Sequence, residues 1–324
     1  MKFKSLFLML ALAGTLASCN LDTEDKDNYT NIPYSVCNLV TSVSGEQAYA
    51  TKDNYTLTYY TVAGKVVVNS SKLSVAAQTS SFTSSEMPYS LTAYGEYPAY
   101  YEVTKFQGGS SSFNGMPITN LQGFTSGWLN YLPVDPANPN ATSLPGYYYS
   151  PQAALVISYN VGTDYLVRTF LPDAVYGGTT TVNTVGAPLP PYIGQETLYR
   201  VVFKQDLKSA DIIFYNAKFN ERMPATTFIV RGLEVVYNNS GYTIRIPSGV
   251  DSIVPEMPEG EGLTPYDPYR FTTLTLTPSS ADLTQALITF NIDNMVYDET
   301  LGEAQVRGSF NCTFEGAYTY SGAK

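Results

Sequence analysis

The stretch Ala154-Leu155-Val156-Ile157-Ser158-Tyr159-Asn160 decides the fold, because the chain repeats it 132 positions later as Ala286-Leu287-Ile288-Thr289-Phe290-Asn291. Both stretches consist largely of aliphatic, β-branched and aromatic residues and are shorter than a typical helix, so both predict buried strands. A strand that returns at such a wide spacing indicates that one structural unit is present twice.

Two more matches occur in the same order and at nearly the same offset, which supports an internal duplication. The corresponding residues are Phe82 and Phe219, Met87-Pro88 and Met223-Pro224, and Gly178 and Gly308. We therefore expect two tandem domains of one kind.

Each copy has the pattern of an all-β domain, with strand-like segments separated by turn residues and with long helical periodicity nearly absent. In the second copy the segments are Leu198 to Lys204, Ala210 to Tyr215, Thr226 to Val236, Tyr242 to Ile246, Phe271 to Thr277, Ala286 to Ile292 and Ala304 to Phe314. About seven short antiparallel strands per copy fit either a sandwich or a calycin-like closed barrel, and the pattern does not distinguish the two.

The pattern divides the chain into five parts. They are a signal peptide at 1–18, an acidic tether at 19–40, a first β domain at 41–186, a Pro-rich linker at 187–195 and a second β domain at 196–324. The linker is assigned because Pro188, Pro190 and Pro191 make its backbone stiff and extended.

The N-terminus has the features of a secretory signal. Lys2 and Lys4 precede an apolar run from Leu6 to Leu12 that is too short to span a bilayer, and small residues follow it. The ending Leu16-Ala17-Ser18-Cys19 resembles the lipobox of bacterial lipoproteins. This resemblance implies that Cys19 is acylated, for example with palmitate, and becomes the first residue of the mature chain.

The residues after Cys19 bear on the final location. Asn20 is not the aspartate that favours retention at the inner membrane in many Gram-negative lipoproteins. The acidic cluster of Asp22, Glu24, Asp25 and Asp27 resembles the surface-export signal of Bacteroidetes lipoproteins. The resemblance implies a lipid-anchored protein of the outer membrane that faces the cell surface, whereas the same charges also suit a solvated tether.

Composition excludes several classes of function. The formal net charge of −10 argues against nucleic-acid binding, which needs a basic surface. The chain has no histidine, which removes Ser-His-Asp and Cys-His catalysis and nearly all zinc sites. We expect a protein that is not an enzyme and that has no metal or other cofactor.

Two cysteines remain besides Cys19. In an exported protein, Cys37 and Cys312 are candidates for a disulfide that ties the N-terminal segment to the last strand. The alternative is that both are buried thiols that behave as small apolar residues.

A long loop at about 133–151 is the candidate ligand site of the first domain. The candidate ligand-binding residues are Trp128, Tyr131, Tyr147, Tyr148 and Tyr149, with a second aromatic group at Tyr94, Tyr97, Tyr100 and Tyr101. Aromatic rings cover the apolar face of a sugar ring well because one end of the side chain is apolar and the other is polar. Since the chain has 28 tyrosines, many of them must simply line cores and strand edges.

The corresponding loop of the second domain, at 255–268, carries Glu256, Glu259, Glu261 and Asp267. Carboxylates suit calcium, but their spacing matches no known calcium motif, so solvated loop charge is the preferred interpretation. Just before this loop, Asp251-Ser252-Ile253 resembles the acceptor of Bacteroidetes protein O-glycosylation, which makes Ser252 a candidate glycosylation site; the alternative is an ordinary Asp-Ser turn.

With its acylated start and tandem β pattern, the chain resembles the uncharacterised outer-membrane and surface lipoproteins of Bacteroidetes. That group includes glycan-binding partners of outer-membrane sugar importers, and fimbrillin-type adhesins share the same start. Fimbrillins of oral species mature by cleavage after an N-terminal arginine, whereas the first arginine here is Arg168.

We therefore expect a non-enzymatic, surface-exposed lipoprotein that binds a glycan or a partner protein, such as an outer-membrane importer, through loops of the first domain. A structural adhesin of the fimbrillin type is the first alternative. A carboxylate-based glycosidase is the second, permitted by the missing histidines but supported by no pattern.

Overall fold

The computed structural model describes residues 29–60, 63–93, 100–128, 154–259 and 262–318, and the regular elements in these ranges are β-strands. The chain forms two compact units and passes from the first to the second between Leu171 and Pro172. Within the described ranges, no helix has the length and apolar character needed to cross a membrane. The prediction of an all-β chain with two tandem antiparallel domains is confirmed.

The first unit contains ten strands. They are β1 (Tyr29–Ser42), β2 (Ala48–Tyr60), β3 (Lys65–Val75), β4 (Gln78–Thr83), β5 (Met87–Pro88), β6 (Ser90–Ala93), β7 (Tyr100–Phe113), β8 (Met116–Trp128), β9 (Ala154–Val161) and β10 (Tyr165–Phe170). Their order in the sheet is β4-β3-β2-β1-β10-β9-β8-β7-β6, and β5 pairs with β3.

The two ends of this first sheet are joined by hydrogen bonds. Just after β4, the amide of Ser85 donates to the carbonyl of Ser110 in β7 at 2.8 Å. Next to it, the hydroxyl of Ser111 donates to the carbonyl of Thr83 at 2.6 Å. The sheet therefore curves back on itself as a barrel.

The second unit also contains ten strands. They are β11 (Asp173–Thr184), β12 (Tyr192–Phe203), β13 (Ser209–Ala217), β14 (Thr226–Asn238), β15 (Gly241–Arg245), β16 (Glu256–Glu259), β17 (Gly262–Pro265), β18 (Tyr269–Pro278), β19 (Gln285–Asp298) and β20 (Glu303–Tyr318). Pairing runs around a ring β11-β12-β13-β14-β15-β18-β19-β20 and returns from β20 to β11, while the β16–β17 hairpin is attached to β14 outside the ring. This closed pairing selects a barrel over a sandwich.

The interior of the second barrel is filled by aromatic rings. Phe214 lies at its centre, with ring centroids of Tyr199, Phe228, Phe271 and Phe290 at 4.6, 5.0, 5.3 and 5.3 Å. Rings at these separations are in contact and bury a large apolar area. Binding surfaces are therefore expected on the outside and at the ends of this barrel.

The two repeated strands occupy the same place in the two barrels. β9 lies between β8 and β10, and β19 lies between β18 and β20. The match of Gly178 with Gly308 is different, because β11 and β20 are neighbours in the second barrel and Gly178 lies opposite Gly316. That match joins two adjacent strands of one barrel and does not mark equivalent strands.

The Pro-rich passage predicted as a linker at 187–195 belongs to a hairpin of the second barrel. β11 ends at Thr184, β12 begins at Tyr192, and Val182 pairs with Tyr192. The second unit accordingly begins at Pro172 and not at 196. Stiff, extended proline segments suit a wide hairpin connection as well as a linker, which is why the sequence pattern misplaced the boundary.

The predicted tether at 19–40 extends too far into the chain. β1 begins at Tyr29, pairs with β10 from Cys37 onward and buries Tyr34 and Leu39. Residues 1–28, with the predicted signal peptide and Cys19, lie outside the described residues.

Candidate functional site

One end of the first barrel consists of short turns. They are the connections at 43–47, 76–77, 114–115 and 162–164. The amide of Val43 donates to the carbonyl of Asp164 at 2.8 Å, and that of Gly162 donates to the carbonyl of Pro117 at 2.9 Å. These bonds tie neighbouring turns together, and we call this side of the barrel the turn end.

The opposite end gathers the long connections, and we call it the loop end. Strand register places three pairs of residues opposite each other here: Ala93 and Tyr101, Tyr100 and Trp128, and Ser126 and Ala154. The connections at 94–99 and 129–153 therefore leave from adjacent strand ends. β1 also begins at the loop end, because Cys37 lies opposite Phe170 at the end of β10.

The loop end contains part of the predicted aromatic site. Trp128 is the last residue of β8, and its Cα lies opposite that of Tyr100, with Tyr101 next to it. The register thus brings Tyr100 and Tyr101 of the second aromatic group to Trp128 of the first, which the sequence alone did not settle. Tyr131, Tyr147, Tyr148 and Tyr149, like Tyr94 and Tyr97, lie outside the described residues.

A polar network is buried inside the first barrel, and no sequence pattern predicted it. Its centre is the carboxylate of Asp53 on β2, which is 3% exposed. The carboxylate accepts five hydrogen bonds: from the amides of Asn54 (2.7 Å) and Lys72 (2.8 Å), the hydroxyls of Ser70 (2.5 Å) and Ser71 (3.3 Å), and Asn38 Nδ2 (3.2 Å). These donors compensate for the loss of hydration that burial of a charge entails.

The network continues to two buried tyrosines. Tyr55 donates its hydroxyl to Asn38 Oδ1 at 2.9 Å, and the hydroxyls of Tyr55 and Tyr159 lie 2.8 Å apart. Burial raises the pKa of both phenols well above the ordinary tyrosine value, and the charge of Asp53 adds to this effect. Both phenols therefore stay protonated and neutral.

The acidic loop of the second barrel forms the β16–β17 hairpin. Glu256 Oε2 pairs with Arg231 Nε at 3.0 Å, and Asp267 pairs with Arg270 at 3.5 Å. Glu259 is exposed at the end of β16, and Glu261 lies outside the described residues. In the ranges that the structure describes, no group of three or more metal-ligating side chains comes together.

Ser252 is exposed on the connection between β15 and β16. The next residue is fixed to the barrel, because Ile253 and Phe271 exchange two backbone hydrogen bonds of 2.9 Å. The hydroxyl is thus presented at the surface on a segment anchored to the barrel. Glycosylation of Ser252 stays a prediction.

The buried carboxylates in the described ranges are Asp53 in the first barrel and Asp211 in the second. Asp211 pairs with Lys204 and accepts the amide of Gly232 at 3.1 Å. A glycosidase needs two carboxyl groups that face one substrate. Since donors of its own barrel surround each of these carboxylates, neither is placed for that chemistry.

Cys37 and Cys312 are free thiols in the structure, in place of the candidate disulfide. Cys37 lies on β1 in the first barrel and is 0% exposed, and Cys312 lies on β20 in the second barrel and is 3% exposed. Each thiol fills space within its own barrel, as the alternative of two small apolar residues requires.

We expect both thiols to resist alkylation in the folded protein. Burial raises the pKa of Cys37 to about 12, and it raises that of Cys312 further, so the reactive thiolate is absent at pH 8. Peptide mass mapping should show that iodoacetamide modifies both residues in denaturant and neither in the folded protein. Modification in denaturant should need no reductant. A linked Cys37–Cys312 peptide in the unreduced digest would contradict the free thiols.

No protein-family model matches the sequence, and no curated protein is significantly similar to it. Among solved structures, transferrin binding protein B from serogroup B Neisseria meningitidis aligns at 8% identity over 89% of this chain and 77% of its own, with a TM-score of 0.24. A protein of unknown function from the DUF3598 family of Nostoc punctiforme aligns at 10% identity over 88% of this chain and 95% of its own, with a TM-score of 0.20. Both TM-scores are low.

Proposed function

We propose that the chain is a surface lipoprotein, anchored through an acyl group on Cys19, that binds a glycan or a partner protein through the loop end of the first barrel and catalyses no reaction. The observation that carries this proposal is the asymmetry of that barrel. Its turn end has only tight turns, whereas its loop end holds Trp128 opposite Tyr100 and both long connections.

A rigid barrel with long connections at one end is an arrangement that binding proteins use repeatedly, because the scaffold fixes loops that are free to vary. Aromatic residues at such an end supply large contact areas at a small entropic cost. The interior of the second barrel is filled by rings, which also directs recognition to barrel ends.

Replacing Trp128 by alanine tests this proposal. We expect the variant to bind at least about tenfold more weakly, since truncation of a central aromatic anchor typically costs ~2 kcal/mol or more. Glycan binding is measured on an array of plant, host and microbial glycans, followed by affinity electrophoresis with the glycan that binds most strongly. Binding of a partner protein is measured by crosslinking to neighbouring membrane proteins on whole cells. Tyr165→Ala is the matched control, because it removes an aromatic residue beside the turn end of the same barrel.

Two results would contradict the proposal. One is an absence of any bound glycan or crosslinked protein with the wild-type chain, and the other is equal loss of binding in both variants. The anchor is tested separately by Cys19→Ser, which should move the protein from the membrane fraction to the soluble fraction and abolish incorporation of labelled palmitate.

A further inference from the structure

The β19–β20 hairpin extends beyond the second barrel. On one side, pairing with β18 stops where Tyr269 meets Asn294, and on the other, pairing with β11 stops where Thr184 meets Phe310. Just past these points, the amide of Met295 donates to the carbonyl of Pro268 at 2.7 Å and the amide of Val185 donates to the carbonyl of Ser309 at 2.9 Å. Beyond these two bonds the strands pair with each other, up to Asp298 opposite Glu303. We call residues 294–308 the arm.

The arm exposes apolar side chains and a strand edge. Tyr297 is 64% exposed, Leu301 is 62% exposed and Val306 is 53% exposed. Within the described residues, the outer edge of β20 at 303–308 has no neighbouring strand. Exposed edges that carry apolar residues are templates for the addition of another strand.

The sequence of this edge is complementary to itself. When two copies are set antiparallel with Gln305 opposite Gln305, Ala304 of each copy lies opposite Val306 of the other. Glu303 then comes beside Arg307, which is the extra residue of a β-bulge in β20. Opposite charges close together across an antiparallel pair stabilise it. In the described part of the chain, neither Glu303 nor Arg307 takes part in an ion pair.

We propose that two copies of this protein associate through the arm, by antiparallel pairing of their β20 edges across a twofold axis at Gln305. Such an interface is isologous, because the same strand contributes both sides. Within each arm, Met295 lies opposite Val306 and Tyr297 lies opposite Ala304. When the two edges pair, these apolar residues of both copies form one continuous row. The row crosses four strands on one face of the joined sheet.

The interface is small, and its strength follows from its size. Two six-residue edges bury much less than the ~1,200 Å² or more of a stable complex, so dissociation in dilute solution is expected. Attachment of both copies to one membrane raises their effective concentration and favours the pair. This inference concerns the second barrel and does not depend on what the loop end of the first barrel binds.

A charge exchange tests the pairing and its register. Sedimentation equilibrium of the full chain with Cys19→Ser, up to millimolar concentration, should show a monomer–dimer equilibrium. Glu303→Arg and Arg307→Glu should each raise the dissociation constant about tenfold, since each places like charges close together. The double variant E303R/R307E restores opposite charges and should return the constant to the wild-type value. All three variants should keep the wild-type melting temperature, because both residues are exposed.

Crosslinking gives an independent measurement of the axis. In the same background, Gln305→Cys should form an intermolecular disulfide on mild oxidation, because the axis brings the two residues 305 together. Thr300→Cys, exposed at the tip of the arm, is the control and should crosslink much less. A chain that stays monomeric at every concentration, a dimer indifferent to both charge variants, or equal crosslinking at 300 and 305 would each overturn the proposal.

Discussion

Replacing Asp53 by alanine is expected to destabilise the first barrel by about 3–5 kcal/mol, because removal of one partner from a buried charged network leaves the others without compensation. The change deprives two backbone amides, two hydroxyls and the Asn38 side chain of their acceptor. It also disturbs Asn38 as the link to Tyr55 and Tyr159.

The measurement is denaturant unfolding together with hydrogen exchange read by mass spectrometry. Amides of β1, β2 and β3 should lose protection, while those of the second barrel, which has its own core, should keep it. Asp164→Ala is the control, since this carboxylate lies on an exposed turn and accepts a bond from the hydroxyl of Thr163; it should cost less than ~0.5 kcal/mol. A loss of similar size in both variants would show that the Asp53 network does not stabilise the fold.

Replacing Phe214 by alanine is expected to cost the second barrel about 3–5 kcal/mol, the usual range for truncation of a fully buried phenylalanine. The ring contacts four others, so its removal leaves a cavity that rigid neighbours fill poorly. Phe214→Leu retains part of the volume and should cost less.

The two unfolding experiments check each other. Phe214→Ala should lower exchange protection in β12, β13 and β14 and leave β1 to β3 unchanged, the reverse of the result for Asp53→Ala. Tyr297→Ala removes a comparable ring that is 64% exposed and should change stability by less than ~0.5 kcal/mol. Loss of protection in both barrels from Phe214→Ala would mean that the two cores are not separate.

The strands were predictable because their signal is local. Ala154–Val161 forms β9 and the repeated stretch lies within Gln285–Asp298 of β19, as their apolar and β-branched residues indicated. Closure of the second barrel was not predictable, because it depends on pairs between strands far apart in the sequence, such as Val182 with Cys312. Composition also cannot distinguish a proline-rich hairpin connection from a linker, and so the domain boundary was misplaced.

Prediction of the candidate site was limited in the same way. Trp128 was selected for its residue type, but its position opposite Tyr100 follows from a register that no local pattern encodes. Burial of Asp53 was not predictable, because its neighbours Lys52 and Asn54 give this stretch the pattern of a strand that faces solvent. Only the neighbouring strands, which bring Asn38 and Ser70 to its carboxylate, reveal that it is buried.

The start of β1 at the loop end limits how far that end can lie from a lipid attached to Cys19. Tyr29 follows Cys19 by ten positions, and an extended chain covers at most ~3.3–3.6 Å per residue, so an acyl anchor at Cys19 holds that end within about 35 Å of the lipid. This distance is close to the ~30 Å thickness of the bilayer core. Under the proposed function, a ligand of the loop end must therefore come within this distance of the membrane, as an integral outer-membrane protein or a glycan delivered to one would.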